Sequence, residues 1–324
     1  MDSLVSSLGR GAADPLNAAA AAAPAPTRRR TARPARRTVL AFGLLAGFAA
    51  ASVAIGISAN AARLDHQHVI NLAGKQRMLT QKMTKEAVLV ALGVDPAGNL
   101  RNLKSSRSLF DLTLTGLRHG DASLSLPQTS RPEILELLTR VDELWAEMDR
   151  SLQPVASSGK LSQAQVAALS ELNLPLLKAM NEAVLAYEKA AYEGIAFSAN
   201  AAAINLSGRQ RMLTQKMTKE FLLVAYGHQA EQNRQALAAT IELFDKTLKG
   251  LISGDPANRL APAPSAEIRD QLAVVQRIWN EFSAFLRPVA NDKAPTRDTI
   301  DLVAEINLTL LHEMNRAVEM YEAL

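Results

Sequence analysis

The run RMLTQKMTKE occupies residues 77–86 and recurs unchanged at 211–220. It mixes Arg77, Lys82, Lys85 and Glu86 with Met78, Leu79 and Met83, an unusual load of charge for a segment with core-type residues. On a helix, Gly74, Arg77, Gln81, Thr84 and Val88 follow steps of three and four and share one face, with Asn71, Gly74, Met78, Gln81 and Lys85 on the adjoining line. The second copy repeats the pattern with Asn205, Gly208, Arg211, Gln215 and Thr218. A stripe that ought to be plain core is thus broken by a glycine, an arginine and neutral hydrogen-bonding groups.

Arg77 has no carboxylate one turn away on its own helix, since residues 73, 74, 80 and 81 are Ala, Gly, Thr and Gln. Arg211 is flanked by Ser, Gly, Thr and Gln at the matching places. An inward guanidinium is expensive unless paired, and its planar fork matches an oxyanion such as nitrate or a carboxylate. Gly74 and Gly208 let a helix or a ligand approach the backbone. The pattern predicts a small anion-sized pocket at Arg77, Arg211, Gly74, Gly208, Asn71, Asn205, Gln81 and Gln215, flanked by Lys75, Lys82 and Lys85. A plainer alternative pairs each arginine with a carboxylate of a neighbouring helix, for which Glu136, Glu143, Glu171 and Glu182 are available, and leaves the lysines as a solvated face. Identity of the run in both copies favours the pocket. Core packing tolerates volume-conserving exchange, whereas fixed hydrogen-bond geometry does not.

The elements that carry these residues come from a duplication. The two copies of the run are offset by 134 residues, and the offset holds without insertion along the module. Leu109-Phe110-Asp111 matches Leu243-Phe244-Asp245, and Trp145 matches Trp279. Asn173, Asn181 and Tyr187 match Asn307, Asn315 and Tyr321. Breakers such as GVDPAGN and PVASSGK divide the first copy into helices near 62–92, 99–119, 131–156 and 161–193. The second copy divides near 195–227, 230–253, 265–290 and 297–323. Ile134, Leu137, Leu138, Val141, Leu144, Trp145 and Met148 recur at helical intervals along one stripe, and four amphipathic helices with short connections pack most simply as an up-down bundle. Gly194 is the lone small residue at the junction of the copies, so a near-continuous helix is expected there, setting the bundles end to end as a rod.

Upstream, Arg28, Arg29, Arg30, Arg33, Arg36 and Arg37 precede an uncharged stretch, residues 38–59, long enough to cross a hydrocarbon layer of roughly 30 Å. The charge asymmetry predicts a basic, disordered cytoplasmic arm over 1–37, a membrane-spanning anchor over 38–59 and an exported remainder, placing the bulk of the chain in the periplasm on the inner membrane. Arg36-Arg37 before a Gly/Ala-rich run also has the form of a twin-arginine export signal, and Ala59-Asn60-Ala61 that of a cleavage site, which would leave a soluble periplasmic protein. The expected fold class is therefore all-α: an N-terminal membrane-spanning helix followed by two tandem four-helix bundles, at 62–193 and 195–324.

Composition narrows the chemistry. The chain has no cysteine, which excludes thiolate metal sites and a thiol nucleophile, and its 4% aromatic content with abundant Ala and Leu suits helices. His66 and His68 are two residues apart and point to different helix faces, so they do not form a helical metal pair. No phosphate-binding loop or nucleophile elbow is present. An enzyme, a resident metal and a cofactor are not expected, and neither is nucleic-acid binding, because the basic cluster precedes a membrane segment.

INLAGKQRMLTQKMTKE and INLSGRQRMLTQKMTKE resemble the signature of the PilJ/NarX-type sensor domains, four-helix extracytoplasmic modules of type IV pilus chemotaxis transducers and nitrate/nitrite sensor kinases. The resemblance spans residues 62–324 and implies two such modules in tandem. In the nitrate sensors the arginine before the methionine binds the anion across a dimer interface. That role falls here on Arg77 and Arg211, with Gly74 and Gly208 at the close approach. It implies a homodimer, unless the two modules of one chain satisfy each other. The run LTQKMTKE departs from the nitrate sensors, which leaves the identity of the anion open. No transmitter region lies within the sequence, so a separate signalling partner is expected. The competing expectation is an envelope or pilus-associated interaction protein that binds no small ligand.

Overall fold

The structure is a computed structural model. It describes the backbone of residues 47–193, 200–258 and 260–324, with side chains from residue 66 onward in those segments, Asn258 excepted. Eight α-helices make up the described chain: α1 Gly47–Ala91, α2 Pro96–His119, α3 Pro132–Ser158, α4 Gln163–Glu193, α5 Ala201–Tyr226, α6 Ala230–Ser253, α7 Ala266–Ala290 and α8 Arg297–Glu322. The basic arm and residues 38–46 of the apolar stretch lie outside the described residues. No helix among the described residues is long and apolar enough to cross a membrane. Residues Asn60–Leu324 cluster as one compact unit.

Helix boundaries follow the local breakers. Pro96 opens α2 with its missing N–H at a position that needs none, and the Asp95 side chain accepts from the Gly98 amide. Gly159 and Gly227 close α3 and α5 in left-handed conformations, with φ of 66° and 81°. In the second module α5 packs on α6 and α8, and α7 packs on both of these, closing a four-helix set. In the first, α2 packs on α3 and α3 on α4. Its α1 is tied in by hydrogen bonds from Gln76 to the Phe110 carbonyl on α2 and from Asn173 on α4 to the Thr80 carbonyl. Each module has the same aromatic pair at its heart. Phe110 lies 4.3 Å from Trp145 and Phe244 4.2 Å from Trp279, centroid to centroid. Short loops closed by the bridges Asp121–Leu126 and Asp255–Leu260 repeat at the same offset.

The end-to-end rod is corrected by the contacts between modules. Asn205, near the start of α5, donates to Glu188 near the end of α4. In one continuous helix those residues would stand about 25 Å apart at 1.5 Å per residue. The modules lie side by side instead. Arg77 on α1 reaches the Asn205 carbonyl on α5, and Lys219 on α5, two turns beyond Arg211, reaches Gln81 on α1. Position advances in the same sense on both helices, so α1 and α5 run parallel. Each is a wall of its own bundle and also meets its counterpart. This explains their composition: from Val69 to Val90 and from Ala201 to Val224 almost every side chain is shielded, polar ones included. A helix enclosed on all sides has no solvated face on which to put its charges.

Candidate functional site

Where α1 meets α5, two guanidinium groups face each other. Arg77 is 0% and Arg211 1% exposed. Arg77 Nη1 donates to Asn181 Oδ1 at 2.9 Å and Nη2 to the Asn205 carbonyl at 3.2 Å. Arg211 mirrors this, with Nη1 to Asn315 Oδ1 at 2.9 Å and Nη2 to the Asn71 carbonyl at 3.2 Å. Arg211 Nη2 has a further acceptor in Asn71 Oδ1, at 2.7 Å. The point where a Cβ on Gly208 would lie is 3.4 Å from Arg211 Nη2 and 3.6 Å from Arg77 Nη2. The matching point on Gly74 is 3.4 Å from Arg77 Nη2 and 3.8 Å from Arg211 Nη2. The absent side chains of Gly74 and Gly208 therefore make the room in which the two forks meet.

The electrostatics are one-sided. No carboxylate forms an ion pair with either arginine among the described residues, Glu136, Glu143, Glu171 and Glu182 included. Nε of Arg77 and Nε of Arg211 are buried and have no hydrogen-bond partner. Burial, then the charges of Arg209 and Arg211, pull Arg77 down to about 9 against an opposing pull from Glu188. Burial takes Arg211 to about 10 against Glu322 and Glu319. The two Nη2 atoms are at most about 7 Å apart, since both lie within 3.6 Å of one point beside Gly208, and unit charges at that limit repel by roughly 2 kcal/mol at an effective dielectric near 20, before desolvation is counted. The nearest negative charges stand one residue back, where Glu188 accepts from the Asn205 amide and Glu322 from the Asn71 amide. Glu322 also accepts from His68. Burial pushes its carboxyl up, but His68, Asn71 and the charge of Arg211 together hold it below the usual carboxylate range.

Gln81 and Gln215 fall in a second polar layer along the α1–α5 contact. Lys219 Nζ donates to Gln81 Oε1 at 3.0 Å and Asn173 Oδ1 at 2.7 Å. Lys85 Nζ and Gln215 Nε2 both donate to Asn307 Oδ1, at 2.9 and 3.2 Å. Asn173 and Asn307 in turn donate to Thr84 and Thr218 hydroxyls. Here amide carbonyls already engage the lysines. Lys82 and Lys216 are different again: each pairs with the glutamate four residues on, Glu86 or Glu220, and reaches a hydroxyl of the neighbouring helix, Ser106 or Thr240. Lys82 is 2% exposed, so this expected solvated or pocket-flanking lysine is an internal tether of its bundle, while Lys85 crosses to Asn307 of the second module and Lys75 is half-buried.

All eight residues picked from sequence thus lie along one helix pair, six of them at the facing arginines. Sequence reasoning missed Asn181, Asn315, Glu188 and Glu322. Their signal was the offset itself, since each is identical in both copies although the helices around them differ. Among the described residues there is no group of three or more His, Cys, Asp or Glu side chains able to hold a metal.

The described residues thus form a duplicated four-helix module whose paired helices bury facing cations. The family described as Type IV pili methyl-accepting chemotaxis transducer N-term, PilJ, matches residues 60–172 and again 198–302, and the chain belongs to this family, with two tandem copies. Two relatives from Pseudomonas aeruginosa are similar to it. The methyl-accepting chemotaxis protein McpN is 31% identical over 147 residues, which is 45% of this chain and 26% of McpN. Protein PilJ is 24% identical over 259 residues, 79% of this chain and 37% of that protein. The chain therefore spans between a quarter and two fifths of the relatives it matches. The family description and the name of McpN both refer to methyl-accepting chemotaxis proteins.

Proposed function

We propose that the chain is an extracytoplasmic sensor for a small oxyanion of the nitrate or nitrite kind, received between Arg77 and Arg211. One observation carries this reading: two facing, fully buried guanidinium groups keep unsatisfied Nε–H donors and no carboxylate partner. A monoanion there would accept from both forks, relieve their mutual repulsion and complete the donors that the asparagines leave over. Gly74 and Gly208 supply the space, and Asn181 and Asn315 hold the forks in plane. Binding would draw α1 and α5 together, and since each belongs to a different bundle, occupancy becomes a change in how the modules sit, available to a signalling partner. The arginine-rich arm before residues 38–59 supports an inner-membrane anchor with the modules on the periplasmic side.

The test is calorimetry on the full chain in mild detergent with sodium nitrate, nitrite, formate and acetate, repeated on Arg77→Ala/Arg211→Ala. Saturable binding of at least one anion, lost in the double variant while helicity is kept, is expected. Absence of binding by the unaltered chain, together with an unaltered melting temperature in the variant, would instead indicate an envelope interaction protein.

A further inference from the structure

Apart from the arginines, one histidine is held from both ends. Nδ1 of His68, on α1, lies 2.5 Å from Glu322 Oε1 at the end of α8, and Nε2 lies 2.8 Å from the Leu124 carbonyl in the α2–α3 loop. That loop is firm. The bridge Asp121–Leu126 closes it, and Asp121 Oδ1 accepts from the Ser123 and Leu124 amides at 2.7 and 3.0 Å. Glu322 is steadied at its other oxygen by the Asn71 side-chain amide. The second module has Ala202 where the first has His68, so the module does not need an imidazole at this place in order to fold.

Both partners of the ring are acceptors. A carbonyl oxygen has no proton to give, so Nε2 donates to Leu124. One further proton lies between Nδ1 and the carboxylate, because two bare lone pairs at 2.5 Å would repel. Burial raises the carboxyl of Glu322, but His68, Asn71 and the charge of Arg211 hold it below the usual carboxylate range, so this proton belongs to the ring. A neutral imidazole has a single N–H and can keep only one of the two contacts. The His68 side chain is 32% exposed, so its proton exchanges directly with water. Glu322 is the charged group that α8 turns to the ring, and Arg211 of α5 acts on Glu322 through its charge. In the loop, Asp121 is turned to its own amides. His66, two residues back on α1, points to a different helix face.

We infer that His68, Glu322 and the Leu124 carbonyl form a proton-operated clasp between the two modules, closed while the ring carries two protons and opened when it loses one to water. The closed clasp holds a proton that a free neutral ring does not. Its stabilisation is therefore complete below the ordinary histidine range and fades as pH rises through the ring's proton release. At the acid end it is lost when Glu322 itself takes up a proton. The docking of α8 on α1 is thus firmest in mildly acid medium, at roughly pH 5–6. The clasp needs no anion, so it stands or falls apart from the oxyanion reading.

The test is thermal melting of the full chain in mild detergent between about pH 5.5 and 8.5, on the unaltered protein, His68→Ala, Glu322→Gln and the double variant. At the acid end each single variant is expected to melt about 2 °C lower than the unaltered chain, and the double variant no lower than the worse single one. At the alkaline end the difference made by His68→Ala is expected to vanish. Nitrogen-15 labelling of the five histidines adds a readout that does not require Glu322→Gln to fold. The ring signal absent from His68→Ala is expected to stay doubly protonated to a higher pH than the other four. A penalty for His68→Ala that is the same at both ends of the range overturns the clasp. So do additive losses in the double variant, or a His68 ring that becomes neutral before the others.

Discussion

A buried cation reveals itself through protons. Lys219 is 3% exposed, and burial followed by the charge of Lys216 pulls it from 10.5 to about 8 against the opposing Glu220. The unfolded chain keeps this proton up to the ordinary lysine value, so between about pH 8 and 10.5 the folded state binds fewer protons than the unfolded one. Stability therefore rises with pH through that window and is flat in this respect below it. The melting temperature of the full chain should climb between pH 7.5 and 9.5, and Lys219→Met should flatten the climb; parallel curves for the two proteins would contradict this account. Some of the site was legible at this scale and some was not. Arg77 and Arg211 stood out because an inward arginine lacking a helix-mate is costly and recurred. Asn181 and Asn315 gave no local sign, because an asparagine becomes an arginine's acceptor only through a helix more than a hundred residues away. Lys82 was misread as a pocket flank, because its i,i+4 glutamate looks the same whether the pair is solvated or sealed.

At the scale of the helix, the breakers made the described spans readable to within a few residues, except at the start of α1, which begins at Gly47 and not near residue 62, and at the junction. There Gly194 was weak evidence, since one glycine costs a helix only about 1 kcal/mol, and the expected continuous helix proved to be two adjacent ones. The polar load of α1 and α5 also resisted reading. Amphipathic periodicity assumes one wet face, and these helices have none because each is enclosed by its own bundle and by its twin. Gly74 and Gly208 sit where the two arginine forks meet, and they separate two effects that usually move together. Alanine in a helix interior is favoured over glycine by up to about 1 kcal/mol, and a Cβ at either place would sit 3.4 Å from its own arginine's Nη2, a contact the chain can absorb. Gly74→Ala and Gly208→Ala should therefore leave the unliganded protein as stable or more stable by thermal melting. On the proposed reading the added methyl would stand where the anion is received, so affinity should drop about tenfold or more in calorimetry. A variant that melts higher and binds as before would show that the glycines serve helix approach alone.

For the whole molecule, the consequence of side-by-side packing is shared stability. Bundles joined only at a linker unfold separately, each at its own denaturant midpoint. Bundles that bury Arg77, Arg211, Gln81 and Lys219 against each other cannot, because losing one strands charges and amides of the other, at about 1–3 kcal/mol for each group left unsatisfied. The chain provides its own reporters. Its two tryptophans are Trp145 in the first module and Trp279 in the second, each against a phenylalanine and hydrogen-bonded to an aspartate, Asp111 or Asp245. In Trp279→Phe, fluorescence follows module one alone, and in Trp145→Phe, module two alone, while far-ultraviolet circular dichroism follows all helices. In urea, the fluorescence midpoint of each variant should coincide with its own dichroism midpoint, and a bound anion at a hundred times its Kd should raise both together by about 2.7 kcal/mol in unfolding free energy. Two separated midpoints, or a ligand shift confined to one module, would mean that α1 and α5 do not hold the halves as a unit. The arginines would then belong to the modules singly, and a site built between them would have no standing.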